Sequence, residues 1–203
     1  MKPFDLVTIR LDVAPDAFRA AWAVLSESER QRASRFTFER DRKRFVAARA
    51  TLRRLLAARL GVQPHEVELV YGQYGKPALG GRSANSGLRF NVSYCDDLAV
   101  YAFARGREIG VDVEAVRWFA DADDVAARFF SSAEYEAYAA LDALDKPSGF
   151  FNCWTRKEAF IKAIGDGLNH PLQSFDVSRV SGWEIESFVP APGFVAAVVT
   201  ERS

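Results

Sequence analysis

The sequence predicts an α+β fold. Three observations carry that prediction. The hydrophobic fraction is 49% over 203 residues, enough for a substantial core and against wholesale disorder. Two segments, 41–60 and 150–164, are long, apolar at helical spacing or free of internal breakers, and read as long helices. The remaining apolar runs are short and bounded by turn residues, as strands are. Each half of the chain mixes one long helix with several strands, and the break falls near 104–107. No sequence repeat shows a duplication.

In order, residues 4–11 read as a strand and Asp16 to Leu25 as a short helix. Ser26-Glu27-Ser28-Glu29 resembles a capping box, in which a serine and a glutamate three residues on satisfy each other's backbone N–H groups. In 41–60 the residues Phe45, Ala48, Leu52, Leu55, Leu56 and Leu60 recur every three or four positions, and Gly61 ends the helix. Glu66 to Tyr71 reads as a strand, and 72–87 as turn-rich chain. Leu88 to Ser93 and Leu98 to Ala104 are strands. Arg105-Gly106-Arg107 reads as a hairpin turn leading into a third, Ile109 to Glu114. Residues 121–145 read as helical, and 175–180, 183–188 and 195–200 as closing strands.

Composition bounds the function. Lys plus Arg and Asp plus Glu each number 27, so the formal net charge is zero, which argues against a general nucleic-acid binder. The balance hides an asymmetry. Residues 28–60 carry eleven basic and three acidic side chains, net +8, and residues 108–145 carry two and ten, net −8. A basic first half and an acidic second half suit a polyanion held on one side and a cation on the other. The only cysteines are Cys95 and Cys153, with no Cys-x-x-Cys, so a reducing cytoplasm is expected. No apolar run is long enough for a membrane span, and the first residues lack a signal-peptide core. His65 and His170 are the only histidines, and neither has a nucleophile nearby in sequence. A general base is therefore expected to be a carboxylate.

Two stretches carry the chemistry. In Ile109-Gly110-Val111-Asp112-Val113-Glu114 the apolar residues alternate, so Asp112 and Glu114 share a strand face, their α-carbons about 6.5–7 Å apart. Such a pair is most often a solvated face, but on a short apolar strand it also suits a hard oxygen-seeking ion such as magnesium. In Trp154-Thr155-Arg156-Lys157-Glu158-Ala159-Phe160-Ile161-Lys162-Ala163, positions 154, 158 and 162 lie along one helical stripe. They offer an aromatic wall, a third carboxylate and an ammonium. Glu158 and Lys162 taken alone are an ordinary i, i+4 ion pair, and Trp154 alone is ordinary core.

Taken together, these stretches resemble the Sfp-type 4′-phosphopantetheinyl transferase family. One family motif reads Gly-(Ile/Val)-Asp-(Ile/Val)-Glu, found here at Gly110 to Glu114. Another reads Trp-x-x-Lys-Glu-(Ala/Ser)-x-x-Lys, at Trp154 to Lys162, followed by Gly165-Asp166-Gly167 and Pro171-Leu172-Gln173-Ser174-Phe175. Tyr74-Gly75-Lys76-Pro77, Phe90-Asn91-Val92-Ser93 and Arg128-Phe129-Phe130-Ser131 with Glu134 match further segments in the same order. The resemblance runs from about Ser26 to Phe175.

It implies two similar α/β halves related by a pseudo-twofold axis, 1–104 and 105–203, with the active site in the cleft between them. The first half would supply the adenine and phosphate side and the second the metal and catalysis. The implied activity is transfer of the phosphopantetheine arm of coenzyme A to a serine of an acyl or peptidyl carrier protein. Magnesium would be held by Asp112, Glu114 and Glu158. Lys162, Arg44 and Lys157 would serve phosphates. Tyr74, Gly75, Lys76 and Pro77 would line the adenine pocket, with Asn91, Ser93 and position 94 near the phosphates. Arg49 reads either as an anion ligand or as a structural ion-pair partner. Two halves in one chain make a monomer sufficient. Arg117-Trp118-Phe119, after the acidic strand, reads as core packing or as a lip for carrier docking.

The sequence departs from the family at Tyr94, where a phosphate-contacting histidine is usual; a phenol carries no positive charge at neutral pH. Arg32 falls where a phosphate-binding lysine is frequent, and Glu29 where another lysine is common. The competing expectation is a coenzyme A or nucleotide-binding module without transfer activity. A magnesium-dependent phosphohydrolase would share the carboxylates.

Overall fold

A computed structural model describes residues 2–12, 14–165 and 170–202. Its elements in chain order are β1 (Phe4–Arg10), α1 (Pro15–Ala23), α2 (Glu27–Ala33), α3 (Glu39–Leu60), β2 (Leu69–Tyr71), β3 (Pro77–Leu79), β4 (Leu88–Cys95), β5 (Leu98–Arg105), β6 (Ile109–Ala115), α4 (Ala122–Phe129), α5 (Ser132–Ala139), α6 (Lys146–Ile164), β7 (Trp183–Phe188) and β8 (Phe194–Glu201). The fold is α+β. Two antiparallel three-stranded sheets, ordered β1-β5-β4 and β6-β8-β7, form its centre, and β2 pairs with β3 beside them.

Strand alternation sorts the core into layers. On β5, Ala99, Tyr101 and Phe103 pack with Phe90 of β4 under α3, against Ala48, Leu52 and Leu56. The opposite β5 face, Leu98, Val100, Ala102 and Ala104, meets Ile109, Val111, Val113, Ala196 and Val198 of the second sheet. The far face of that sheet, Ala197 and Val199, packs under α6 on Ala159, Phe160 and Ala163. The two sheets are thus pressed together, with α3 outside one and α6 outside the other. The one phenol in the first layer is satisfied: Tyr101 donates to the Ala48 carbonyl at 2.8 Å.

Local chemistry sets the ends of several elements. Ser26 and Glu29 form the expected capping box, and the structure adds a second, of Ser131 and Glu134, at α5. The latter pair splits 121–145 into two helices. Gly61 and Gly165 terminate α3 and α6 in the left-handed conformation, with φ of 70° and 80°. Asp166 and Gly167 of the family-like turn lie outside the described residues.

Three local expectations are corrected. Residues 105–107 do not close a hairpin, because β6 pairs with β8 and β5 with β1 and β4. They carry the chain from one sheet to the other. The strand expected over 175–180 is a turn: Asp176 accepts from the Ser178 N–H at 2.7 Å, and the Val177 N–H donates to Glu134 at 2.7 Å. The N–H groups of Val177 and Ser178 are taken by carboxylates, and that of Arg179 by the Asp176 carbonyl, so none of the three is offered to a ladder. The strand expected from Glu66 is confined to Leu69–Tyr71, after a 3₁₀ turn at Pro64–Glu66. Among the described residues, no helix is long and apolar enough to cross a membrane.

Candidate active site

Gly110 explains how the two acidic segments come together. A Cβ built there would lie 2.0 Å from the Ala159 carbonyl oxygen and 2.4 Å from the Ala163 nitrogen. Only glycine lets α6 settle this closely on β6. Gly110, Asp112 and Glu114 share the strand face that α6 covers. The approach therefore sets Glu158 and Lys162 of α6 over the two strand carboxylates.

A second strand serves the same site. On β4, Asn91, Ser93 and Cys95 alternate onto the face turned to β6. The Asn91 amide oxygen accepts from the Val111 N–H at 2.9 Å, Ser93 Oγ donates to Asp112 Oδ1 at 2.8 Å, and Cys95 Sγ lies 3.4 Å from Glu114 Oε2. β4 and β6 are joined by this comb of side chains rather than by a backbone ladder. Lys162 Nζ reaches in from α6 to Asp112 Oδ1 at 2.6 Å and to Ser93 Oγ at 3.0 Å.

The electrostatics of this cluster are unbalanced. Asp112 is only 4% exposed, and its Oδ2 is buried without a hydrogen-bond partner. Burial, then repulsion from Asp112, raises the carboxyl of Glu158 above its ordinary range, with Lys162 opposing. Glu114 is raised for the same two reasons, opposed by its contact with Cys95 and by Arg117 and Lys162. Among the described residues, no three His, Cys, Asp or Glu side chains converge into a closed metal cage. An orphaned carboxylate oxygen beside two carboxyls pushed toward protonation nevertheless fits a hard divalent cation, which supplies the positive charge they lack.

Beside the cluster opens a cleft of about 540 Å³. Tyr74, Gly75, Lys76, Pro77, Asn91, Tyr94, Glu158 and Lys162, all expected at the site, line it, together with Arg32, Arg49 and Tyr71. The Lys76 ammonium is not loose in the cleft: it donates to Glu108 at 3.1 Å and to the Ala163 carbonyl at 2.9 Å. It thereby ties the 72–77 loop to the end of α6.

Two expected phosphate ligands stand elsewhere. Lys157 is corrected to a structural role. It is fully buried, 2.5 Å from Glu134 and 2.8 Å from the Phe175 carbonyl, over the Phe175 ring. One position along the helix from Glu158, it points into the protein and not the cleft. Arg44 is turned to Asp12 through two hydrogen bonds of 2.8 and 3.1 Å and does not line the cleft. Trp154 is no cleft wall either: it stacks on Phe150 and meets Phe129 edge-on.

Sequence reasoning passed over Tyr71 and Cys95, and left Arg49 undecided. The signal for Cys95 was present, since it continues the alternation of Asn91 and Ser93. For Tyr71 no local signal existed, because the turn after β2 brings it to the cleft.

The model of the 4′-phosphopantetheinyl transferase superfamily matches residues 108–198, and that of the 4′-phosphopantetheinyl transferase N-terminal region matches residues 12–105. The 4′-phosphopantetheinyl transferase HetI of Nostoc sp. is 39% identical over 199 residues, 94% of this chain and 84% of the relative. A 4′-phosphopantetheinyl transferase of Bacillus subtilis is 32% identical over 155 residues, 76% of this chain and 66% of its own. The L-aminoadipate-semialdehyde dehydrogenase-phosphopantetheinyl transferase of Homo sapiens is 32% identical over 177 residues, covering 80% of this chain and 57% of that protein. The chain belongs to the 4′-phosphopantetheinyl transferase superfamily. It is a transferase acting on carrier proteins with coenzyme A as donor.

Proposed function

We propose that transfer takes place at the carboxylate end of the cleft, with Asp112, Glu114 and Glu158 as magnesium ligands. The observation that carries this reading is the orphaned, buried Oδ2 of Asp112 beside two carboxyls raised by burial and by repulsion from Asp112. When bound, magnesium neutralises charge on the pyrophosphate oxygens of coenzyme A.

The protein's own groups do the rest. Lys162 holds Asp112 in place and presents its ammonium to the phosphate oxygens. Glu158 accepts the proton of the carrier serine hydroxyl, whose oxygen forms the new bond to the phosphorus bearing the pantetheine arm. The phosphoanhydride P–O bond breaks, and adenosine 3′,5′-bisphosphate leaves. Base assistance of this kind is worth about 10²- to 10⁴-fold. Tyr74 to Pro77 line the adenine side, Tyr94 lines the cleft near the phosphates, and Asn91 fixes β6 through the Val111 N–H.

In this reading the chain works as two halves, 1–104 and 105–203, each bringing one sheet and one long helix. A single chain suffices, in a cytoplasm supplying coenzyme A and magnesium. Trp118, 78% exposed just beyond the acidic strand, is the docking lip for the carrier.

Intact-protein mass spectrometry of apo carrier proteins mixed with this protein, coenzyme A and magnesium tests the reading, with EDTA and with Asp112→Ala and Glu158→Ala as controls. A metal-dependent gain of one phosphopantetheine arm, absent in both variants, supports it. Near-normal transfer by either variant removes the metal assignment. Coenzyme A binding without any transfer turns the reading to a binding module.

A further inference from the structure

The loop that carries Tyr74, Gly75 and Lys76 turns on itself. The Gly72 N–H donates to the Lys76 carbonyl at 3.0 Å, and the Gly75 N–H to the Gly72 carbonyl at 2.9 Å. Gly75 has φ of 78°, the left-handed conformation that closes the turn. The hairpin behind it, β2 with β3, is three residue pairs long. A ribbon that short is marginal by itself, so its tip needs a hold elsewhere.

Lys76 supplies that hold. Its ammonium crosses to the side of the second sheet, where it meets Glu108 Oε2 at 3.1 Å and the Ala163 carbonyl at 2.9 Å. Ala163 lies in the last turn of α6. The last turn of a helix leaves its carbonyls without helical partners and favours a cation beside them.

Glu108 is a fixed carboxylate, though it lies just before β6 and at the surface. Its N–H donates to the Glu201 carboxylate at 3.3 Å. Its carbonyl accepts from the Glu201 N–H at 3.1 Å and from Thr200 Oγ1 at 3.3 Å. Its second oxygen, Oε1, accepts from Arg89 Nε of β4 at 2.8 Å. One carboxylate thus stands between two cations. Burial lowers the Lys76 ammonium below the ordinary lysine range, Glu108 opposes that shift, and Arg89 adds to it. Without Glu108, a poorly solvated lysine would face Arg89 with a carbonyl as its remaining partner.

This tie sits where the cleft walls meet. Tyr74, two residues before Lys76, lines the cleft on one side. Lys162, one residue before Ala163, lines it on the other. We propose that Glu108 is a positioning residue for the transfer: through Lys76 it sets the distance between the 72–77 wall of the cleft and Lys162 with Glu158. The inference rests on the reading of this cleft as the coenzyme A site. A donor held at its base end is aimed at its reacting end when the two walls keep a fixed separation. In this role Lys76 is a tie between the walls and not an anion ligand.

Glu108→Gln keeps the shape of the side chain and removes its charge. Transfer to an apo carrier and isothermal titration with coenzyme A read the effect. The KM and Kd for coenzyme A should rise about three- to tenfold, the upper range for an ion pair with one partly buried partner. The carrier KM and the melting temperature should stay close to wild type. In a Lys76→Met background Glu108→Gln should add nothing, because the tie is already cut. A further loss in that background would place the effect in Arg89 or the strand and overturn the proposal. Tighter coenzyme A binding by Glu108→Gln overturns it too, since Glu108 would then be restraining a lysine that the ligand recruits. Tyr74→Ala separates the two readings. Weaker binding in Tyr74→Ala beside unchanged binding in Glu108→Gln removes only the positioning role. Unchanged binding in both removes the placement of coenzyme A in this cleft as well.

Discussion

The two sides of this molecule share one plan and differ in charge. Each presses a three-stranded sheet against the other sheet and covers its outer face with a long helix, α3 or α6. On the α3 side, a buried carboxylate, Glu29, is outnumbered by the guanidiniums of Arg49 and Arg53. On the α6 side, the ammonium of Lys162 is outnumbered by Asp112, Glu114 and Glu158. Each side is short of the charge that the other carries in excess. A ligand with separated anionic groups, together with a divalent cation, corrects both deficits at once. The comparison teaches that the site is built as two incomplete ion clusters held by a common core.

The packing of α6 is the most sensitive point. Gly110→Ala should cost above about 4 kcal/mol, beyond ordinary overpacking, since the new methyl strikes the backbone of α6 and not a yielding side chain. Thermal unfolding should show a large drop, and the carboxylate side should lose its ligand affinity with it. A stable variant would mean that α6 sits more loosely on β6 than α3 does on its own sheet.

Next is the buried pair under α6. Lys157→Met leaves Glu134 buried without its cation and should cost about 3 kcal/mol, read as a fall in the denaturation midpoint. Coenzyme A affinity of the folded fraction should be unchanged. A weakened affinity at unchanged stability would restore Lys157 to the phosphate site.

The third test concerns the acidic excess. Glu158 is held above its ordinary value by burial and by Asp112. A carboxyl raised in the folded state is protonated there without penalty at low pH, and it withdraws stability as pH rises from the unfolded value through the folded one. Without divalent ions, Glu158→Gln should therefore melt above the wild type at pH 7 to 8 and lose that advantage below about pH 4. Added magnesium should stabilise the wild type more than the variant. A variant that melts lower at neutral pH would show attraction to Lys162 outweighing the repulsion.

The smallest effect on stability belongs to Trp118. Its exposure predicts that Trp118→Ala changes stability by less than about 0.5 kcal/mol. As a docking residue it should raise the apparent carrier KM and leave coenzyme A binding alone. An unchanged KM assigns the carrier to another surface.

Much of this was legible from the chain. The capping box at Ser26, the helical spacing through Leu52 and Leu56, and the strand alternation of Asp112 with Glu114 depend only on neighbours within a few residues. So does the i, i+4 stripe of Glu158 and Lys162. These followed from sequence because local backbone geometry fixes which side chains share a face. The readings that failed depended on partners far along the chain. Arg105 to Arg107 looks like a hairpin turn, but the partner of β6 is β8, more than eighty residues on. Lys157 and Lys162 both read as phosphate ligands on one helix until the structure shows the first of them bound to the Phe175 carbonyl. Arg49 and Arg53 are two basic residues one turn apart, and only the placement of Glu29, Pro64 and Val67 decides which one is spent. The sequence by itself determined most of the elements, the faces of the two acidic segments and the family. Tertiary structure alone decided which charges are paired and which are left open to a ligand, because pairing is a contest among groups brought together only by packing.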